Sequence, residues 1–254
     1  MTTFVSVAPH PDDEVLGAGP LALALLDAGH EVHVVCASLG GPGQQDRRRS
    51  EAQAAADVAG WVLHVPAAPV DIGRSADRPG AETALCALIS AMASDIGADV
   101  VIGPGPHDAH HGHELVGRAI RDGLVEREGC RWWAWQVWGH LPVVDLVHAF
   151  DDGILARASA ALACHAGEVA RNDYDDVLVG AARLGAALAA ERLLGYGATR
   201  PWSEPYATPL CESVVTGGRW AHTGPHVLSV ADPLAGVVDS TRSSAWLHEP
   251  SPYG

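Results

Sequence analysis

Residues 3–29 read TFVSVAPHPDDEVLGAGPLALALLDAG. The run from Thr3 to Ala8 is apolar, rich in β-formers and stopped by Pro9; Val15 to Ala28 is a long Leu and Ala segment closed by Gly29. The segment therefore contains a strand, a short polar loop and a helix. Outward from it the alternation repeats: Glu31 to Ala37 is a Val-rich strand, Arg47 to Ala59 a helix ended by Gly60, Trp61 to Val65 a strand and Ala81 to Ser94 a helix. Ala98 to Gly103 forms another buried strand, followed by the loop PGPHDAHHGH and a helix from Glu114 to about Arg127. Successive βα units of this kind predict an α/β, Rossmann-like fold, with a mostly parallel sheet and helices on both faces. In such sheets ligands bind beyond the carboxyl ends of the strands, where both polar, His-rich loops fall.

Further on, Arg131 to Trp138 reads as a strand, Asp151 to Ala166 and Asp175 to Leu194 as helices, and Pro, Gly, Ser and Thr become frequent from Gly195. The expected organisation is one domain over residues 1–206, with residues 207–254 an extension packed on it. A chain of 254 residues can bury a core of that size without a second domain.

The formal net charge of −15, with no Lys anywhere, disfavours nucleic acid and anionic membrane surfaces as partners, because both need basic side chains. A neutral or cationic small molecule fits better. Cys36, Cys86, Cys130, Cys164 and Cys211 are scattered without CxxC spacing, so buried free thiols in a reducing cytoplasm are expected. No basic, apolar leader and no membrane span is read. Gly17, Ala18 and Gly19 lie inside the first helix and do not make a nucleotide-binding GxGxxG turn.

Pro9-His10-Pro11-Asp12-Asp13-Glu14 joins the first strand to its helix. A capped helix start explains Pro11 and some acid, but not His10 beside two adjacent Asp residues. His10 and Asp13, three positions apart, face one way and make the better ligand pair, leaving Asp12 as a candidate base. In the second loop, His107, His110, His111 and His113 lie within seven residues. His110 and His113 share a side of an incipient helix, while His107 with His110 or His111 is a competing choice. Two nitrogens and one carboxylate with an open position suit a catalytic zinc; Fe2+ or Co2+ would also accept the set.

PHPDDE near the amino terminus, paired with DxHxxH at Asp108 to His113, resembles the LmbE-like or PIG-L family of zinc-dependent amino-sugar N-deacetylases. Arg48 with Glu51, Asp71 in APVDIG, His165 in ALACHAGE and Glu204 in WSEPY are weaker similarities. The resemblance implies His10, Asp13 and His113 as metal ligands and Asp12 as general base. It implies His110 as the group that stabilises the oxyanion or donates a proton, and Arg48 and Asp71 as sugar-hydroxyl contacts. Two positions depart from the family pattern: Gly112 stands where many members have Asp, and HAGE stands where HxSQ is usual.

The activity so implied is hydrolysis of an N-acetyl or other N-acyl group on an amino sugar or its conjugate, by metal-activated water and the Asp12 carboxylate. Alternatives are an amidase that removes a larger acyl group from a thiol or antibiotic conjugate, and a non-catalytic sugar-binding protein of the same fold. Trp132, Trp133, Trp135 and Trp138 are expected in the core rather than as a ligand platform, and His222 and His226 as loop residues.

Overall fold

A computed structural model describes residues 1–74 and 77–252. Its elements are β1 (Thr3–Ala8), α1 (Asp13–Asp27), β2 (Glu31–Cys36), α2 (Gln45–Ala59), β3 (Val62–His64), α3 (Arg78–Ile96), β4 (Val100–Pro104) and α4 (His111–Leu124). There follow β5 (Arg131–Trp135), β6 (Leu146–Phe150), α5 (Asp152–Leu162), α6 (Ala166–Val169), α7 (Tyr174–Leu194), β7 (Tyr206–Val215), β8 (Trp220–His222) and β9 (His226–Val227), and a 3-10 turn at Ala245–His248.

The strands form one mixed sheet in the order β3-β2-β1-β4-β5-β7-β6-β9, with β8 paired to β7. β1 to β5 are mutually parallel, whereas β7 runs antiparallel to both β5 and β6. This is the α/β, mostly parallel sheet expected from the repeating βα units. The sheet separates two cores, and the period-2 rule decides which residue enters which. Val5, Val7 and Trp132 face the side packed by α3 and α4, while Phe4, Ala8, Trp133 and Trp135 face the side packed by α1 and α5. Three of the four tryptophans are thus core, as expected; Trp138 lies past the end of β5 and is 43% exposed.

From β1 the chain steps to β2 on one side, and β4 is added on the other. The order reverses between β1 and β4, which is where a crevice opens in such sheets. The loops that follow β1 and β4 are the two His-rich segments. β7 begins at Tyr206 and is inserted between β5 and β6, so residues beyond 206 supply an interior strand of the sheet. No described helix is long and apolar enough to cross a membrane. The five cysteines are free, and Cys36, Cys130 and Cys211 are buried.

Candidate metal and catalytic site

The first loop turns sharply at Asp12, whose φ of 109° lies in the region that favours glycine. Ala109, in the second loop, has φ 56°, and these are the only non-glycine residues with positive φ among those described. Such conformations cost about 1–3 kcal/mol each and persist where the surroundings enforce them. Here the turn gives the adjacent carboxylates of Asp12 and Asp13 different surroundings.

Asp13 is buried and sits between two imidazoles. Its Oδ2 is 3.1 Å from His10 Nδ1 and its Oδ1 is 3.2 Å from His113 Nε2. The backbone N–H of His10 also donates to Asp13 Oδ2, at 2.9 Å, which locks the loop. Burial alone would raise this carboxyl, but His113 and His10 hold it well below the usual carboxylate range. Ring nitrogens of His10, His110 and His113 lie within 4.8 Å of one another.

His113 is fixed from behind. Its Nδ1–H donates to Asp108 Oδ2 at 2.6 Å, and both side chains are buried. The other oxygen of Asp108 accepts the backbone N–H groups of Val137, Trp138 and Gly139 at 2.8, 2.9 and 3.1 Å. Asp108 therefore joins the loop that carries His113 to the segment that carries Trp138. Against the burial penalty, which favours a neutral ring, Asp13 and Asp108 raise His113 to about 10. Trp135 meets the His113 ring edge to face, with centroids 5.5 Å apart.

These donors fit a divalent cation. The His10, His110 and His113 nitrogens can face one ion, and the two oxygens of Asp13 stand one beside His10 and the other beside His113. A ligating His normally gives its second N–H to a carboxylate, as His113 does to Asp108. His110 supplies a further nitrogen; its Nδ1 is buried with no hydrogen-bond partner. Burial, with His113 and His10 nearby, pushes His110 down to about 3, so its ring is neutral.

Asp12 faces the pocket lined by His10, Asp13, Leu16, Arg48, His110, His113, Trp138, Arg171 and Tyr174. Burial first, then the neighbouring Asp13 and Glu14 carboxylates, raise its pKa well above the ordinary value, while Arg48 opposes them. Arg48 is itself buried, with its Nη2 donating to the Pro11 carbonyl at 3.0 Å and standing 3.7 Å from Asp12 Oδ1. Gly40, at φ 76°, leaves room for this side chain, since a Cβ there would lie 2.6 Å from Arg48 Nη1.

Six of the seven residues singled out in the sequence thus meet at one pocket. Asp71 does not line it; this exposed carboxylate accepts the backbone N–H of Gly73 at 2.9 Å within its own turn. His107 turns away to the Trp246 carbonyl, 2.6 Å from its Nε2. His165 lies behind the site, its Nε2 2.6 Å from Glu14 Oε1, and Glu14 in turn accepts the Asp12 backbone N–H at 2.9 Å. At Gly112 a Cβ would sit 3.1 Å from His10 Cε1 and 3.2 Å from Ile72 Cδ1, so a larger residue there would need these side chains to shift by a few tenths of an ångström.

A second donor cluster, not expected from the sequence, joins Asp145, Cys211 and His222. His222 is fully buried in β8 rather than in a loop. Trp246 Nε1–H donates to His222 Nε2 at 2.8 Å, so Nδ1 carries the proton and donates to Asp145 Oδ2 at 2.9 Å. That tautomer offers no lone pair to a metal. The cluster ties the last segment of the chain to β6 and β7.

Residues 5–124 match the PIG-L family, described as GlcNAc-PI de-N-acetylase, and this span contains both loops. No curated protein matches the sequence. Among solved structures, the fold is similar to that of A40926 pseudoaglycone deacetylase, at 18% identity and TM-score 0.62, covering 85% of this chain and 99% of that one. It is also similar to 4-carboxy-2-hydroxymuconate hydratase from Pseudomonas putida, at 21% identity and TM-score 0.58, covering 84% and 96%. A third is N,N'-diacetylchitobiose deacetylase from Pyrococcus horikoshii, at 15% identity and TM-score 0.57, covering 85% and 84%.

Proposed function

We propose, from the PIG-L family domain formed by residues 5–124, that this chain is a metal-dependent hydrolase removing an N-acyl group from an amino sugar or amino-sugar conjugate. The observation that carries the reading is the split between two neighbours: Asp13 lies between the His10 and His113 nitrogens, while Asp12 faces the pocket beside Arg48. The deacetylases among the similar folds are named for the A40926 pseudoaglycone and for N,N'-diacetylchitobiose, which supports the substrate class.

His10, Asp13 and His113 would hold the metal. Zinc, or Fe2+ or Co2+ in the same site, supplies a Lewis acid for the amide carbonyl and lowers the pKa of water. Asp12 accepts the proton as a water oxygen bonds to the carbonyl carbon. The neutral His110 ring donates to the oxygen on which negative charge develops. When the C–N bond breaks, the proton held by Asp12 passes to the amine nitrogen, leaving a carboxylate and a free amine. Arg48 keeps Asp12 in place, and Arg171 and Tyr174 stand where sugar hydroxyls can be met.

The test is to purify the protein, measure bound metal by elemental analysis, and follow acyl loss from N-acetylglucosamine derivatives by mass spectrometry. One metal per chain with acetate release is expected. A metal-free preparation that is as active as the loaded one would refute the reading.

A further inference from the structure

Glu168 is a buried carboxylate that the proposed reaction leaves unused. It stands in α6, a single helical turn that is tied down on two sides. His165, just before the turn, has its Nε2 2.6 Å from Glu14 Oε1, and the Gly167 backbone N–H donates to Glu51 Oε1 on α2 at 2.9 Å. A Cβ at Gly167 would run into the Arg47 guanidinium, so the turn lies tightly on α2, the helix that also carries Arg48. Three guanidinium groups converge on Glu168: Arg171 Nη2 is 2.5 Å from its Oε2, and Arg47 Nη2 and Arg48 Nε are 3.2 and 3.6 Å from its Oε1. Burial would push this carboxyl up, but Arg48 foremost, with Arg171 and Arg47, holds it below its ordinary value. Arg47 has a second acid in Glu51, at 2.6 Å, and Arg171 reaches solvent. Arg48 is buried, and among the described residues it has two carboxylates within ion-pair reach, Asp12 Oδ1 at 3.7 Å and Glu168 Oε1 at 3.6 Å. Neither is close enough for a hydrogen bond: Nη2 donates to the Pro11 carbonyl, and Nε has no acceptor. The guanidinium is suspended between two acids.

Resting on the hydrolase reading, we infer that Glu168 is a positioning residue: it draws Arg48 back from Asp12, so that the guanidinium steadies the general base without taking its lone pairs. A buried guanidinium that loses one counter-charge must turn to another, because leaving it unpaired away from water is costly. Without the charge of Glu168, the carboxylate left to Arg48 is Asp12. Charge-assisted N–H to carboxylate bonds are about 2.7–2.9 Å long, so a shift of about 1 Å would close the gap. An Asp12 oxygen bonded to Arg48 is no longer free to accept the proton of the attacking water. Glu168 thus acts on the reaction through Arg48, from a place outside the pocket lining.

The experiment uses the metal-loaded full chain and the N-acetylglucosamine derivative that the parent hydrolyses best, with bound metal and circular dichroism measured for every variant. Glu168→Gln keeps the shape and removes the charge. Its kcat is expected to fall about 10- to 100-fold, the worth of a hydrogen bond to a charged group, while KM stays within about twofold and metal content is unchanged. In an Arg48→Ala background the same change should alter kcat by less than about twofold, because residues that act through one contact are not additive. Equal losses in the two backgrounds overturn the inference and leave Glu168 a packing residue. A loss confined to KM overturns it too, by giving Glu168 to the placement of Arg171, as do unchanged kinetics. If Glu168→Gln does not fold, Glu168→Asp keeps the charge but withdraws it from Arg48. It should lower kcat when Arg48 is present and leave it unaltered in Arg48→Ala, and equal losses again overturn the inference. If the parent hydrolyses no such substrate, the hydrolase reading fails, and the restraint is judged by crystal structures of parent and Glu168→Gln. An Arg48 nitrogen about 2.8 Å from an Asp12 oxygen in the variant sustains it, and an Arg48 left at its parental distance overturns it.

Discussion

Replacing Asp108 by Asn separates metal affinity from folding. One oxygen of Asp108 accepts three backbone N–H groups at 2.8–3.1 Å, and the other accepts His113 Nδ1–H at 2.6 Å. An amide can keep only one of these faces. Turning its NH2 toward the three N–H groups would strip each of its acceptor, at up to about 1–3 kcal/mol apiece. The sum, about 3–9 kcal/mol, rivals the whole stability of a typical domain. The amide oxygen therefore stays with the loop and the NH2 faces His113, whose Nδ1 must become the acceptor and whose Nε2 must carry the proton. Nε2 is the nitrogen that faces Asp13, so the metal loses a ready lone pair. Disrupting an outer partner of this kind costs about 10- to 100-fold in metal affinity, or about 1.4–2.7 kcal/mol. Titration calorimetry of the metal-free protein with Zn2+ and Co2+ measures this directly, and thermal melting should show a folded Asp108→Asn protein. Asp108→Ala, which abandons all three N–H groups, should instead lose stability outright. Equal metal affinity in Asp108→Asn and the parent would show that the His113 tautomer is not set from behind.

Asp12→Asn should retain metal and lose about 10²–10⁴-fold in kcat, whereas Asp13→Asn should lose metal on dialysis; matched metal analysis and acyl-release rates distinguish the two. Arg48→Ala should leave metal content intact and lower kcat/KM about 10- to 100-fold, the worth of a charged hydrogen bond, with equal kinetics returning Arg48 to a packing role. His148, stacked on Phe150 and pushed down to about 4 by burial, stays neutral in the fold while the unfolded chain protonates near 6.5. Its folded pKa is depressed, so stability is intact above about pH 6.5 and declines toward pH 4, by on the order of 3 kcal/mol. Urea unfolding at pH 7.5 and 5 should show a smaller pH difference in His148→Leu than in the parent.

The amino-terminal half was legible because β1, β2 and β4 are short, largely buried apolar runs bounded by breakers, and such parallel strands carry their signal locally. The carboxyl-terminal strands were not. β7 contains Pro209 and Glu212, residues that argue against an interior strand. Glu212 is tolerated because Arg131, Trp133 and Thr223 satisfy it at 2.7, 2.9 and 2.7 Å, from positions up to 81 residues away. The same distance in sequence hid the part played by Asp108: it stands in the recognised motif, but its loop partners lie 29 to 31 residues on. For Asp71 the opposite holds, since the local turn to Gly73 takes the carboxylate, and spacing alone could not show it.

The two non-glycine residues with positive φ bear on how far this protein can be stabilised. Both lie in the loops of the site, and together they draw about 2–6 kcal/mol from a fold whose margin is typically about 5–15. Glycine would relieve either one, but the positions are not equivalent. At Ala109 the change removes only a methyl group and is open to an engineer seeking heat tolerance. At Asp12 it removes the carboxylate that faces the pocket, so a search that scored stability alone would discard the proposed general base.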